Sequence, residues 1–168
     1  MSFTWTKIIL IATVLIALTS CIGEKNPVVL EVGDQVPEFS VETSTGEVVS
    51  NRSLLGAISC IVFFHTGCPD CQKTLPEVQR IYDEFYGRGV KFILISREQT
   101  REEIEPYWKE CGYTMRYSPQ RTREIYEKFA QSRIPRVYIS DKNGIIKAIF
   151  TDNPTPVYSD LKSAIESL

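Results

Sequence analysis

The 168-residue sequence predicts an α/β fold with a central mixed sheet. Three observations carry this. Ala57 to Phe64 and Val90 to Ser96 are apolar almost throughout, as strands covered on both faces are. A helical repeat separates them, which calls for parallel pairing with a right-handed crossover. Further on, Val137-Tyr138-Ile139-Ser140, the turn Asp141-Lys142-Asn143-Gly144 and Ile145 to Phe150 form an antiparallel hairpin.

In chain order, Phe39 to Thr43 alternates, Ser44-Thr45-Gly46 turns and Glu47 to Val49 returns, a short N-terminal hairpin. Asn51 to Gly56 reads as one helical turn. Cys68 to Tyr86 is a helix, with Leu75, Val78, Tyr82 and Phe85 at helical spacing and Pro76 expected to kink it. Arg101 to Cys111 is a second helix, with Ile104, Trp108 and Cys111 on one face and Gly112 as its stop. Thr114 to Tyr117 reads as a short extended piece. Thr122 to Ala130 and Pro156 to Leu168 read as further helices.

Residues 1–20 are expected to lie outside this domain. Lys7 and the apolar run Ile8 to Leu18 suit a signal peptide, and the run falls short of the roughly 20 residues that span a bilayer. Leu18-Thr19-Ser20-Cys21 resembles the lipobox of bacterial lipoproteins, in which the cysteine becomes N-terminal and carries lipid. On that reading residues 21–28 are a lipid-anchored tether and residues 29–168 the folded domain. The domain is then held at a membrane in the bacterial cell envelope, facing the periplasm or the exterior, where disulfides persist. A net charge of −2 with interspersed signs offers no basic stripe for nucleic acid. The length suits a single domain, expected to act as a monomer.

The chemistry is concentrated at Cys68-Pro69-Asp70-Cys71. Cys68 stands at a helix N-terminus, where free backbone N–H groups and the helix dipole favour a thiolate. Cys71 lies one turn deeper. Cys68 is therefore the attacking thiol and Cys71 resolves the mixed disulfide. Asp70 either opposes the thiolate or faces water. A metal site is the weaker alternative: zinc needs four ligands, there is no second Cys-X-X-Cys, and the lone His65 would have to join Cys60 or Cys111 from a distance.

The strand running into this Cys-X-X-Cys helix, Pro76 within the helix and Ile134-Pro135 ahead of the last hairpin resemble the thioredoxin fold. The N-terminal hairpin and the helix-bearing insert between Ser96 and Ile134 resemble its extracytoplasmic TlpA/ResA-type branch. The resemblance covers Val29 to Leu168. It implies a three-layer sandwich and a membrane-anchored thiol–disulfide oxidoreductase acting on extracytoplasmic protein thiols and disulfides, with reduction the favoured direction. It implies a membrane redox donor or acceptor as partner and requires no organic cofactor. It also implies a cis Pro135 lying against the cysteines, with Ile134 and Pro135 in contact with substrate.

The chain departs from that family at several positions. Gly67 replaces the usual aromatic residue, and Val62 and Thr74 stand where relatives place acids. Glu77 is the substitute proton acceptor for Cys71, and His65, Pro69 and Asp70 are candidate tuning residues. Arg133 and Arg136 flank Ile134-Pro135 and could favour acidic partners, though solvated charges are the simpler reading. A non-catalytic binding lipoprotein and a thiol peroxidase are the alternative functions. The peroxidase alternative meets His65 where peroxiredoxins carry a Thr and Ile61 where they carry a Pro. Cys60 and Cys111 read as buried packing cysteines, with a disulfide between them as the alternative.

Overall fold

A computed structural model describes residues 29–168. The expected signal peptide, the expected acylation site Cys21 and the expected tether lie outside the described residues. Among the described residues no helix is long and apolar enough to cross a membrane.

The chain opens with a two-stranded antiparallel hairpin, β1 (Ser40–Glu42) and β2 (Val48–Ser50), followed by one helical turn, α1 (Asn51–Leu54). Ser50 caps α1, accepting from the Ser53 N–H at 3.2 Å, while the Ser53 hydroxyl accepts from the Ser50 N–H at 2.9 Å. A five-stranded sheet then forms from β3 (Ser59–Phe64), β4 (Lys91–Ser96), β5 (Tyr117–Ser118), β6 (Arg136–Ser140) and β7 (Ile146–Phe150). Its spatial order is β5-β4-β3-β6-β7. The intervening helices are α2 (Pro69–Phe85), α3 (Arg101–Glu110) and α4 (Glu124–Glu127), and α5 (Tyr158–Glu166) closes the chain.

The strand runs behave as their composition requires. Every residue of β3 is buried, because it is the central strand with helices on both sides. It pairs parallel with β4 and antiparallel with β6, and β6 pairs antiparallel with β7. Under the sheet Phe63 packs on Tyr126, Phe129 and Tyr138, with ring centroids 5.4, 4.8 and 6.2 Å away. Burying one such ring contributes about 1.5–3 kcal/mol. On the other face Phe64 meets Trp108 at 5.0 Å. A buried Ser59–Ser140 hydroxyl pair at 2.6 Å ties β3 to β6 where the two residues stand opposite one another.

Three expectations are corrected. The helix read over Thr122 to Ala130 is a single turn, because its apolar residues Tyr126 and Phe129 are drawn into the aromatic cluster beneath β3. Cys111 is exposed, not packed. It caps the C-terminus of α3, and Trp108 fills the apolar face there against Tyr113 and Tyr117 at 5.2 and 4.9 Å. Cys60 is fully buried in β3, so the two thiols are free and unpaired. The helix α2 continues through Pro76, whose ring is exposed.

Register decides which loops meet. Phe64 is level with Ser96 across the parallel pair, and Phe63 is level with Arg136 across the antiparallel pair. The residues after β3, those after β4 and those before β6 therefore emerge at one edge of the sheet, as Cα neighbours only one or two strands apart.

Candidate active site

The Cys-X-X-Cys turn sits at that edge. Cys68 is the N-cap of α2, with extended backbone angles, and Pro69 occupies the first turn, where its missing N–H costs nothing. The Cys71 N–H donates to Cys68 Sγ at 3.4 Å. The Cys68 thiol donates in turn to the Ile134 carbonyl at 3.6 Å. Cys68 is half-buried and Cys71 is wholly buried. The accessible sulfur is thus the one at the helix terminus, and the second sulfur lies behind it.

Burial, and then the hydrogen bond with Cys68, push the Cys71 thiol well above its ordinary value. A backbone hydrogen bond at His65 and, more weakly, the Arg97 charge oppose this. Burial alone raises the Cys60 thiol to about 12, so it remains a protonated packing group.

The loop ahead of Cys68 is held by residues that the motif does not announce. The Thr66 N–H donates to Gln99 Oε1 and Gln99 Nε2 donates to Thr66 Oγ1, both at 2.7 Å. Gln72 Nε2 donates to the Thr66 carbonyl at 2.8 Å. Gln99 is only 5% exposed, and Ser96 Oγ donates to its carbonyl at 3.1 Å. Sequence reasoning missed Gln99, Gln72 and Thr66. Polar residues after an apolar strand were the available signal, but nothing local says which backbone they reach.

His65 Nδ1 accepts from the Gly67 N–H at 3.0 Å. Burial, followed by the nearby Arg97 charge, lowers the His65 pKa, which keeps the ring neutral at physiological pH. The same ring explains Gly67: a Cβ there would come within 3.3 Å of two His65 ring atoms. Asp70 faces water and pairs with Lys73 at 2.8 Å, resolving its two readings. Val62 is a fully buried apolar residue.

Pro135 is buried and the Ile134–Pro135 peptide is cis, as the resemblance implied. The Tyr126 hydroxyl donates to the Arg133 carbonyl at 2.6 Å and fixes the approach to this loop. Arg136 is not a solvated charge. It is buried, with Nε donating to the Ser132 carbonyl at 3.2 Å and Nη1 to the Tyr138 hydroxyl at 3.4 Å.

Glu77 is not brought to the cysteines. Its carboxylate accepts from the Tyr158 N–H at 2.9 Å and pairs with Arg80 at 2.9 Å, so it caps α5. Six residues beyond Cys71, it has turned about 240° around α2 and faces a different neighbour. Thr74, at i+3 from Cys71, does share its face. Its hydroxyl is buried and has no hydrogen-bond partner among the described residues. Among those residues no three His, Cys, Asp or Glu side chains converge as a metal site needs.

A cysteine pair at the mouth of a central-strand-to-helix turn, one sulfur accessible and one behind it, defines a thioredoxin-fold thiol–disulfide oxidoreductase. The chain belongs to the AhpC/TSA family, which it matches over residues 32–149. Among curated proteins it is similar to the thiol-disulfide oxidoreductase ResA of Oceanobacillus iheyensis, 26% identical over 146 residues, covering 84% of this chain and 76% of that protein. Among solved structures it resembles a putative protein disulfide isomerase from Bacteroides thetaiotaomicron, with TM-score 0.74, 21% identity and 82% and 87% of the two chains covered. A thiol:disulfide interchange protein of the thioredoxin family from Chlorobium tepidum has TM-score 0.70 and 22% identity, with 82% and 97% covered. These two solved structures share the fold of this chain.

Proposed function

We propose that the protein reduces disulfides of extracytoplasmic proteins through Cys68 and Cys71 while tethered to a membrane by an acylated Cys21. The Cys68 thiolate attacks one substrate sulfur. A Cys68–substrate disulfide forms, the substrate S–S bond breaks, and the departing thiolate takes up a proton. Cys71 then loses its proton and attacks Cys68 Sγ, releasing the second substrate thiol and leaving Cys68–Cys71 oxidised. Two electrons have passed to the substrate, and a membrane redox donor restores the dithiol.

The observation that carries this reading is the Cys71 N–H donating to the half-buried Cys68 Sγ, with Cys71 buried behind it. The reducing direction rests on the TlpA/ResA-type resemblance. A strong oxidant stabilises its reduced form as a thiolate. Beside Cys68 the His65 ring is neutral while Arg97 and Arg133 are cationic, so the potential of the pair is the measurement that decides the direction. The lipid anchor and the envelope location rest on Leu18-Thr19-Ser20-Cys21 and its preceding apolar run.

Reduction of insulin by the wild type and by Cys68→Ser tests the chemistry; equal inertness of the two removes the catalytic reading and leaves the binding-scaffold alternative. Equilibration of the pair with glutathione tests the direction. A potential near about −270 mV supports a reductant, whereas one near about −120 mV reverses the assignment. Peroxide consumption that depends on Cys68 and outpaces disulfide reduction would support a thiol peroxidase instead. Loss of the protein from the membrane fraction on Cys21→Ala tests the anchor; retention there argues against it.

A further inference from the structure

An open groove of about 430 Å³ lies beside Cys68, lined by His65, Gly67, Pro69, Arg97, Arg133 and Ile134 as well as the cysteine itself. Its two charged lining side chains are both guanidinium groups, and none of these described lining residues is a carboxylate. His65 adds no opposing charge.

Arg133 is held there under strain. Its φ is +71°, the one positive value among the described non-glycine residues. Glycine or asparagine would adopt that conformation at less cost, and such outliers cluster where function requires them. The Tyr126 hydroxyl on the Arg133 carbonyl holds the conformation in place. Arg133 directly precedes Ile134, whose carbonyl faces Cys68 Sγ at 3.6 Å. Successive residues of an extended segment are about 3.3 Å apart. A segment whose cysteine meets Cys68 therefore brings its neighbouring residues within reach of both arginines.

Each guanidinium lies beside one acid and keeps free donors. Arg133 Nη1 lies 3.5 Å from Asp152, and Arg97 Nε lies 3.2 Å from Glu98, yet Arg97 Nε is buried with no hydrogen-bond partner among the described residues. A guanidinium carries five N–H donors, so one such ion pair leaves donors free for a substrate carboxylate. Arg97 is only 23% exposed, and its charge is correspondingly less screened.

We propose that Arg133 and Arg97 make this groove selective for disulfides in acidic segments, with an Asp or Glu adjacent to the reacting cysteine. The inference rests on the exchange chemistry proposed above and names its substrate class. Arg133 meets the carboxylate at the exposed rim and Arg97 at the floor. The redox step is unchanged: the Cys68–substrate bond forms as the substrate disulfide breaks, with both electrons supplied by the Cys68/Cys71 dithiol. Segments with Lys or Arg beside the cysteine are disfavoured by like-charge repulsion.

The test uses three extended peptides that place Asp, Ala or Lys beside a cysteine in the same mixed disulfide with a neutral thiopyridyl leaving group. Second-order rates are measured with the reduced full-length protein in detergent. The expected order is Asp over Ala over Lys, with about a tenfold spread at low ionic strength that shrinks as salt is added. The spread should narrow in Arg97→Gln and in Arg133→Gln and persist in Arg133→Lys. Arg133→Gly separates selectivity from folding, because it should melt no lower than wild type and still lose preference for the Asp peptide. Equal rates for the three peptides, or a preference undiminished in Arg133→Gly and Arg97→Gln, overturns the proposal. Failure of the wild type to react even with the Ala peptide overturns the exchange reading beneath it.

Discussion

Gln99 grips Thr66 through both ends of its amide, accepting from the backbone N–H and donating to the hydroxyl at 2.7 Å each. Thr66 is two residues ahead of Cys68, so the loop after β4 fixes the entry to the cysteine turn. Gln99→Leu leaves two buried polar groups of Thr66 without partners, a loss of about 2–3 kcal/mol. Its Cys68 should also react several-fold more slowly with a peptide disulfide. Gln99→Glu keeps the acceptor and loses the donor, and should fall between. Urea melts and exchange rates read the two effects; a Gln99→Leu protein as stable and as fast as wild type contradicts this role.

In the proposed exchange, Cys71 sets the pH dependence of the second step. Its pKa is raised by burial, then by the hydrogen bond with Cys68, so at any given pH less of it is thiolate than of an ordinary cysteine. Resolution of the mixed disulfide should therefore accelerate about tenfold per pH unit and continue to rise past about pH 9, where an unperturbed thiol would flatten. Acid-quenched mass spectrometry of the Cys68–peptide adduct follows the step, and Cys71→Ser should accumulate that adduct indefinitely. A plateau reached well below pH 9 would show that another group lowers the Cys71 barrier.

The Ser59–Ser140 contact at 2.6 Å is buried between β3 and β6. Ser59→Ala leaves the Ser140 hydroxyl without its partner and should cost about 1–3 kcal/mol. Replacing both serines by Ala removes the orphan, so the double variant should be less destabilised than the sum of the singles. Chemical denaturation of the four proteins measures the coupling; strict additivity would mean that the pair does not interact.

Thr74 carries a buried hydroxyl with no hydrogen-bond partner among the described residues, one turn beyond Cys71. Thr74→Val removes that unsatisfied group with little change of shape. It should be neutral or stabilising by up to about 1 kcal/mol. A clear loss of thermal stability would reveal a partner, such as an ordered water, for the hydroxyl.

The order of strands and helices, the hairpins at both ends of the domain and the placing of Cys68 at a helix N-terminus were legible in the sequence. Apolar runs, helical spacing and turn residues are local signals, set by neighbours a few positions away. The cysteine pair announced the chemistry for the same reason, since two thiols one turn apart need no other part of the chain to be recognised.

Tertiary structure decided the rest, because the register of β3 against β4 and β6 selects which distant residues meet. Thr66 and Gln99 are 33 positions apart, and Cys68 and Ile134 are 66 apart, separations that no periodicity encodes. Helix rotation turned Glu77 toward Tyr158 and away from Cys71. The aromatic packing around Trp108 left Cys111 outside. The buried contacts of Arg136 with Ser132 and Tyr138 separated it from Arg133, the arginine that reaches the groove. The sequence by itself determined that this protein carries a redox cysteine pair on an α/β scaffold. Strand register and burial determined which groups surround the pair.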